Sequence, residues 1–432
     1  MSQAVDPITA ITTEASDIES GPLTTADGQP LARALRHSQK RAKRRAFLWV
    51  LPLLAFVMIT FVVPIAQMLQ RSFYNDGFSA NMPQVSAWFA ETPRGTDPDE
   101  AAWAALAADL TATAEARTIG VVGTRINYDM AGTRSLFTST GRKVRGGLEP
   151  PYQAALLEID GRWGDPQLWS VMREAAHPVT TNFYLASLDR TRNAEGQIVQ
   201  QPENQRVYIM LFMRTFGLSL LITAMTFILG FPIAHLLATL PMRKSNLLMI
   251  LVLLPFWTSL LVRTTSWIVL LQQQGVVNDL LLWAGIIDAN GRLQMIYNRT
   301  GTIIAMNHIL LPFMILPLYS VMRTINPSYA RAARSLGATS WTTFRRIYFP
   351  QTLPGLGAGA LLVFILAVGS YITPALVGGS SGQLIANLIA LHITDTLYWS
   401  MAAALAALLM GAVLLLYWIY DRLVGIDNLK LG

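Results

Sequence analysis

The 432-residue chain is 52% hydrophobic and only 14% charged, with a formal net charge of +7 and no cysteine. That balance is too apolar for an ordinary soluble protein, and the missing thiols exclude disulfides and thiolate metal sites. The positive charge gathers beside apolar runs, so it reads as a topology signal and lends nucleic-acid binding little support.

Residues 1–45 are rich in Ser, Thr, Asp, Gly and Pro and read as a largely disordered basic tail. The tail ends in Arg33, Arg36, Lys40, Arg41, Lys43, Arg44 and Arg45, which should hold it in the cytoplasm. No cleavable leader is evident. The first apolar run begins after this cluster and reads as a retained span. Six runs qualify as transmembrane helices: Ala46–Leu69, Thr215–Leu240, Leu247–Leu271, Thr302–Met322, Gly355–Val377 and Ser400–Tyr420. Each has about the twenty residues needed to cross roughly 30 Å of hydrocarbon, where a helix satisfies its own backbone. The expected fold is an all-α polytopic membrane protein. Its parts are a first helix at 46–69, an insertion at 70–205, a five-helix core within 206–424 and a tail at 425–432. Arg243 and Lys244, and later Arg331, Arg334, Arg345 and Arg346, fall in short loops on the side of the basic tail. Six crossings put both termini in the cytoplasm and the insertion outside.

The insertion holds twelve Arg/Lys against sixteen Asp/Glu, and at that length its charge says little about topology. Asp99–Arg117 places Trp103, Leu106 and Leu110 on one helical face, whereas Gly141, Gly146, Gly147, Pro150 and Pro151 mark a loop. Two readings stand, a cap packed on the membrane helices and a docking surface for an extracellular partner. Catalysis is a poor reading, because His177 is the segment's only histidine and its carboxylates show no informative spacing.

Between the fourth and fifth spans lies the polar segment Asn326–Pro354. Asn326-Pro327 signals a helix start, Ala330–Leu336 reads as a short helix, and Gly337 ends it. Thr339–Tyr348 then carries Trp341, Phe344, Ile347 and Tyr348 on an amphipathic piece that Pro350 and Pro354 should close. Such a knob can present apolar and cationic groups to a soluble partner, or lie on anionic lipid. The residues alone leave both readings open.

Arg331-Ala332-Ala333, Gly337 four residues on, Ile347 and Phe349-Pro350 resemble the signature loop of the inner-membrane permease subunits of binding-protein-dependent ABC importers. That loop reads E-A-A, three residues, G, nine residues, then I-x-L-P. Arg331 replaces its glutamate and Phe349 its leucine. Leu51-Pro52 through Pro64, the run Pro255–Thr264 followed by Trp267, and Tyr371–Gly379 are similar to the B subunit of spermidine/putrescine-type importers. The resemblance implies a bacterial inner-membrane permease forming half of a translocation path. A second, non-identical permease would complete the path, and a periplasmic solute-binding protein would deliver cargo. A cytoplasmic ABC ATPase dimer would couple through Arg331, Ala332, Ala333, Leu336, Gly337, Ile347, Phe349 and Pro350. ATP would be bound by that partner and no cofactor by this chain. Ser370 stands where many polyamine relatives carry Asp or Glu, which leaves the cargo open.

Trp257, Ser259, Arg263, Trp267, Tyr371 and Thr373 are the candidate pathway residues. Arg263, toward the outer half of the third span, either snorkels outward or faces the path, balanced by Asp279 or Asp395. His235 and His308 read as satisfied core groups, and Gly378–Gln383 as an extracellular turn. None of the five lysines follows a glycine, so the chain has no phosphate loop of its own. An ion-coupled secondary transporter is the alternative, but no span holds Asp or Glu and no half repeats. A membrane-anchored receptor would need only one span.

Overall fold

The structure, a computed structural model, describes residues 31–424 apart from Ala194. The expected tail segments 1–30 and 425–432 lie outside the described residues. The chain divides into two units at Gln67/Met68.

In the first unit, helix α1 (Leu31–Val57) begins well before the first expected span, inside the segment read as a tail. A π turn, Met58–Val62, joins it to α2 (Val63–Arg71) without a break. The turn precedes Pro64. A proline ring clashes with the carbonyl four residues back, and a wider turn relieves that clash.

The insertion is helical: α3 (Pro83–Glu91), α4 (Glu100–Glu115), α5 (Ile119–Asn127), α6 (Thr133–Lys143), α7 (Tyr152–Ile159), α8 (Pro166–Ala176) and α9 (Asn182–Ser187). A two-stranded hairpin, β1 (Arg190–Arg192) with β2 (Ile198–Gln200), follows. Trp103, Leu106 and Leu110 are buried on α4, as their spacing predicts, beside Trp163, Phe137 and Phe89. Each such side chain is worth about 1.5–3 kcal/mol on burial, so this core is substantial. Asp99 caps α4 by accepting from the Ala102 amide. Gly141, expected in a loop, lies inside α6, where a Cβ would meet the Ile119 side chain at 2.5 Å.

The membrane helices of the second unit are α10 (Tyr208–Thr239), α11 (Met242–Leu253), α12 (Leu260–Leu271), α13 (Val276–Trp283) and α14 (Arg299–Thr324). After them come α15 (Pro327–Ser335), α16 (Ser340–Thr343), α17 (Phe349–Val368), α18 (Ile372–Val377), α19 (Gly379–Gly382), α20 (Ile385–Thr394) and α21 (Trp399–Val424). Among the described residues five helices are long and apolar enough to cross a membrane, and a sixth passes only as a bent pair. That pair, Met242–Trp257 with Leu260–Trp283, turns through 96°. The third span is therefore not one straight helix. Pro255 removes an amide, Thr258 is extended, and Ser259 caps a new helix by accepting from the Val262 amide.

Side-chain contacts set the relative direction of the spans. Asn307 faces Met225, Gly230 packs on Met314 and Ile315, and Arg323 reaches the Ala238 carbonyl. Those positions advance together, so α10 and α14 run parallel. The bent pair between them must then traverse the bundle from one end to the other. Gly355 lies against Pro317 and Val321, and Gly359 against Met314, so α17 runs antiparallel to α14. Gly357 meets the Tyr420 hydroxyl near the end of α21. The insertion joins the opposite end. Asn75 donates to Ser400 across 3.1 Å, and Tyr128 stacks on Tyr398 with centroids 3.5 Å apart. Buried Asp189 accepts from the Val207, Tyr208 and Ile209 amides, capping α10.

One further expectation changes. The fifth span ends at Val368, not Val377, because Gly369 and Ser370 break the helix before α18. The segment Gly378–Gln383 holds the single helical turn α19, packed so tightly on Tyr297–Thr302 that a Cβ on Gly379 would run into the Tyr297 carbonyl oxygen.

Candidate functional site

The polar segment sits at the end of the bundle away from the insertion. Asn326 accepts from the Ser328 amide and starts α15, with Pro327 in the first turn. The helix closes where Gly337 adopts φ +88°, with its amide bonded to the Arg334 carbonyl and the Ala338 amide to Ala333. That pair of bonds is the left-handed cap that favours glycine. Thr339 then accepts from the Thr342 amide and turns the chain into α16.

From Ser340 the helix runs continuously to Val368. Pro350 and Pro354 do not close the amphipathic piece, contrary to the sequence reading. A π turn, Phe344–Tyr348, ends with the Phe349 amide on the Phe344 carbonyl, one residue before Pro350. The spacing repeats that of Met58–Val62 before Pro64. In both places the wide turn admits the ring and keeps the helix going. The knob is thus rigidly continuous with the fifth span.

The expected coupling residues divide by exposure. Leu336 is 89% and Trp341 67% exposed, beside exposed Tyr329. Arg331, Ala332, Arg334, Gly337 and Pro350 are exposed, while Ala333, Ile347 and Phe349 are half-buried. Among the described residues none of Arg331, Arg334, Arg345 and Arg346 has a carboxylate partner. The result is a basic surface with two large apolar side chains standing out of it. Exposed apolar groups rimmed by polar ones mark interaction sites.

The other face of this segment packs inward. Phe231 of α10 meets Phe344 edge-on at 6.0 Å and Phe349 at 5.8 Å, and Trp341 stacks on Phe344 at 5.8 Å. The Tyr348 hydroxyl lies 2.9 Å from His235 Nδ1. His235 is a satisfied core group, as expected, and its partner belongs to the knob.

Four of the candidate pathway residues lie at or beside the two helix breaks, and Arg263 and Trp267 lie within α12. Trp257, 78% exposed, and Ser259 flank the kink between α11 and α12. Trp267 donates to His308 Nδ1 across 3.1 Å, and Thr373 Oγ1 lies 3.4 Å from Thr264 Oγ1. Tyr371, at the second break, accepts from Asn387 through its carbonyl. Arg263 is half-buried, and its Nε has no partner. Neither expected counter-charge reaches it, since Asp279 pairs with Arg292 at 2.8 Å and Asp395 accepts from Thr394. Thr264 and the Trp267 contact of His308 were not singled out by sequence. The polar pair Thr258-Ser259 after Pro255 was the available signal for the kink. No group of three or more His, Cys, Asp or Glu among the described residues could hold a metal ion.

The sequence matches the family of binding-protein-dependent transport system inner membrane components over residues 207–425. The spermidine/putrescine transport system permease protein PotB of Salmonella typhi is 36% identical over 222 residues, covering 51% of this chain and 77% of the relative. The Haemophilus influenzae PotB is 32% identical over 224 residues, covering 52% and 78%. A probable sulfate transport system permease protein, cysT of Marchantia polymorpha, is 29% identical over 189 residues, covering 44% and 62%. The chain belongs to this family of inner-membrane components: it is a multi-pass ABC importer permease of the PotB type, a transport subunit and not an enzyme.

Proposed function

We propose that this permease forms half of the path for a small solute and is driven by a separate ATPase gripping the knob Asn326–Pro350. The observation that carries the reading is the knob itself. Arg331 and Arg334, without carboxylate partners among the described residues, and exposed Leu336 and Trp341 stand at the bundle end opposite the insertion. Both termini share the cytoplasmic side with this knob, and the insertion lies outside, where a periplasmic solute-binding protein would deliver cargo. A second, non-identical permease completes the path. ATP is bound by the ATPase dimer and this chain needs no cofactor of its own.

Trp257, Ser259, Arg263, Trp267, Tyr371 and Thr373 line this half of the path. The cargo is a small organic solute, with polyamines the first class to test because the PotB relatives are named for them. A relative named as a probable sulfate transport system permease leaves the charge of the cargo to be tested. Two experiments test these statements. Replacing Leu336 and Trp341 by Ala should abolish co-purification of the ATPase, and undiminished recruitment would overturn the docking role. Mass spectrometry of the co-purified solute-binding protein should find putrescine or spermidine, and an unrelated solute would overturn the cargo.

A further inference from the structure

Residues that touch a driving partner must also hand its motion to the helices that line the path. The knob has two possible routes. One runs along the chain through α17, which is continuous with α16. The other crosses sideways to α10. Three observations meet on the second route. A π turn falls at Phe344–Tyr348, where it admits the Pro350 ring and re-aims the side chains of the turn. The turn carries Phe344 and Tyr348 to the face toward α10, where Phe231 packs edge-on against Phe344. The same turn brings the Tyr348 hydroxyl to 2.9 Å from His235 Nδ1, with the rings 5.0 Å apart and nearly perpendicular.

The aromatic path is continuous. Exposed Trp341 stacks on Phe344, Phe344 meets Phe231, and Phe231 meets Phe227 one turn deeper at 5.6 Å. Packed rings resist compression, so a push on Trp341 is not absorbed locally. His235–Tyr348 is the only hydrogen bond between the π turn and α10 among the described residues. A directional bond of this kind fixes register where packing alone does not.

We propose that Tyr348 and His235 are the joint that couples displacement of the knob to α10. They are a positioning pair for driven transport, acting through the helices and not by touching cargo or nucleotide. This inference rests on the docking role proposed above.

The test uses the complete importer in proteoliposomes, with import and ATP hydrolysis measured together. Y348F keeps the ring and removes the hydroxyl. It should still recruit the ATPase, and solute imported per ATP should fall roughly fivefold, the order expected for one lost hydrogen bond. H235A should show the same fall, and the double variant should be no worse than either single one, because both remove one interaction. H235N, whose side-chain oxygen sits near the position of Nδ1, should recover most of the ratio. A wild-type ratio in Y348F or H235A overturns the joint. So does additivity in the double variant. Loss of ATPase recruitment is read separately in the pull-down, so failure of the docking role is not mistaken for failure of the joint.

Discussion

Arg323, in the last turn of α14, donates through Nη1 to the Ala238 carbonyl at the end of α10, 2.9 Å away. The bond ties together the far ends of two parallel helices. It also supplies a donor to a carbonyl that α10 leaves without an intrahelical partner. Because those helices are parallel, the bent pair α11–α13 has to cross, and the polar segment after α14 lies opposite the insertion.

That the insertion and the knob lie on opposite sides of the membrane can be read by thiol labelling, with the proposed orientation setting which site labels first. The chain has no cysteine, so single variants carry a unique thiol. In spheroplasts a membrane-impermeant maleimide should label E149C, an exposed insertion site, and spare S335C on the knob. Inverted vesicles should reverse the pattern. Labelling of both sites from one side would rule out the crossing of the bent pair.

Helix packing in α17 predicts an order of sensitivity among glycines. A Cβ on Gly355 would lie 2.8 Å from the Pro317 carbonyl oxygen and 2.9 Å from Val321 Cβ, on a neighbouring helix backbone. G355A should cost about 1–3 kcal/mol, as overpacking does. At Gly359 the nearest atoms are the Met314 sulfur at 3.0 Å, on a side chain that can turn aside, and the Met314 carbonyl oxygen at a looser 3.2 Å. G359A should cost less. Gly411 has nothing within 4 Å, and G411A should leave thermal stability unchanged. Melting in detergent checks the ranking, and equal losses at all three would refute it.

The spans were legible because some twenty apolar residues in water-excluding surroundings permit one backbone solution. The knob was legible because Asn326, Gly337 and Thr339 act through their own local bonds, which need no tertiary context. The breaks were less so. Pro255 follows an apolar helical run and Pro350 an amphipathic one, yet the first starts a 96° bend and the second sits in an unbroken helix. At Pro350 a π turn precedes the ring and the helix goes on, whereas at Pro255 the helix tightens into a 3-10 turn before the extended Thr258. Asp279 does not pair with Arg263, because Arg292 holds that carboxylate at 2.8 Å. Pairing across loops is decided by the fold, and no spacing in the sequence records it.

Asp109 offers a pH test of the insertion. Burial raises its carboxyl above the ordinary range, while amides of Val85 and Gln84 pull it down by less. A raised folded value means the neutral form is favoured in the folded state. Its contribution is therefore full below the ordinary carboxylate range and is lost as pH rises through the higher folded value. D109N keeps an oxygen for the Val85 amide, 2.9 Å away, without the ionisation. Tryptophan fluorescence of the full chain should show a higher melting midpoint for D109N than wild type at neutral pH, with the gap closing toward pH 4. D109A, leaving a buried amide unpaired, should melt lower at every pH. A wild-type midpoint that rises with pH relative to D109N would show the sign to be wrong.

Gly337 isolates backbone conformation from contact. At φ +88° it occupies the left-handed region, and nothing lies within 4 Å of the position a Cβ would take. G337A therefore meets no clash, and its effect is the conformational penalty alone, about 1 kcal/mol. The cap bonds of Gly337 and Ala338 hold the angle between α15 and α16. Straining them should misalign Leu336 with Trp341 and weaken ATPase binding about fivefold, the equivalent of that energy. Asparagine enters the left-handed region more easily than alanine, so G337N should bind better than G337A although its side chain is larger. Titration of the ATPase against the solubilised permease measures all three. Binding that falls with side-chain size, Asn below Ala, would mean the position is a contact surface and not a hinge.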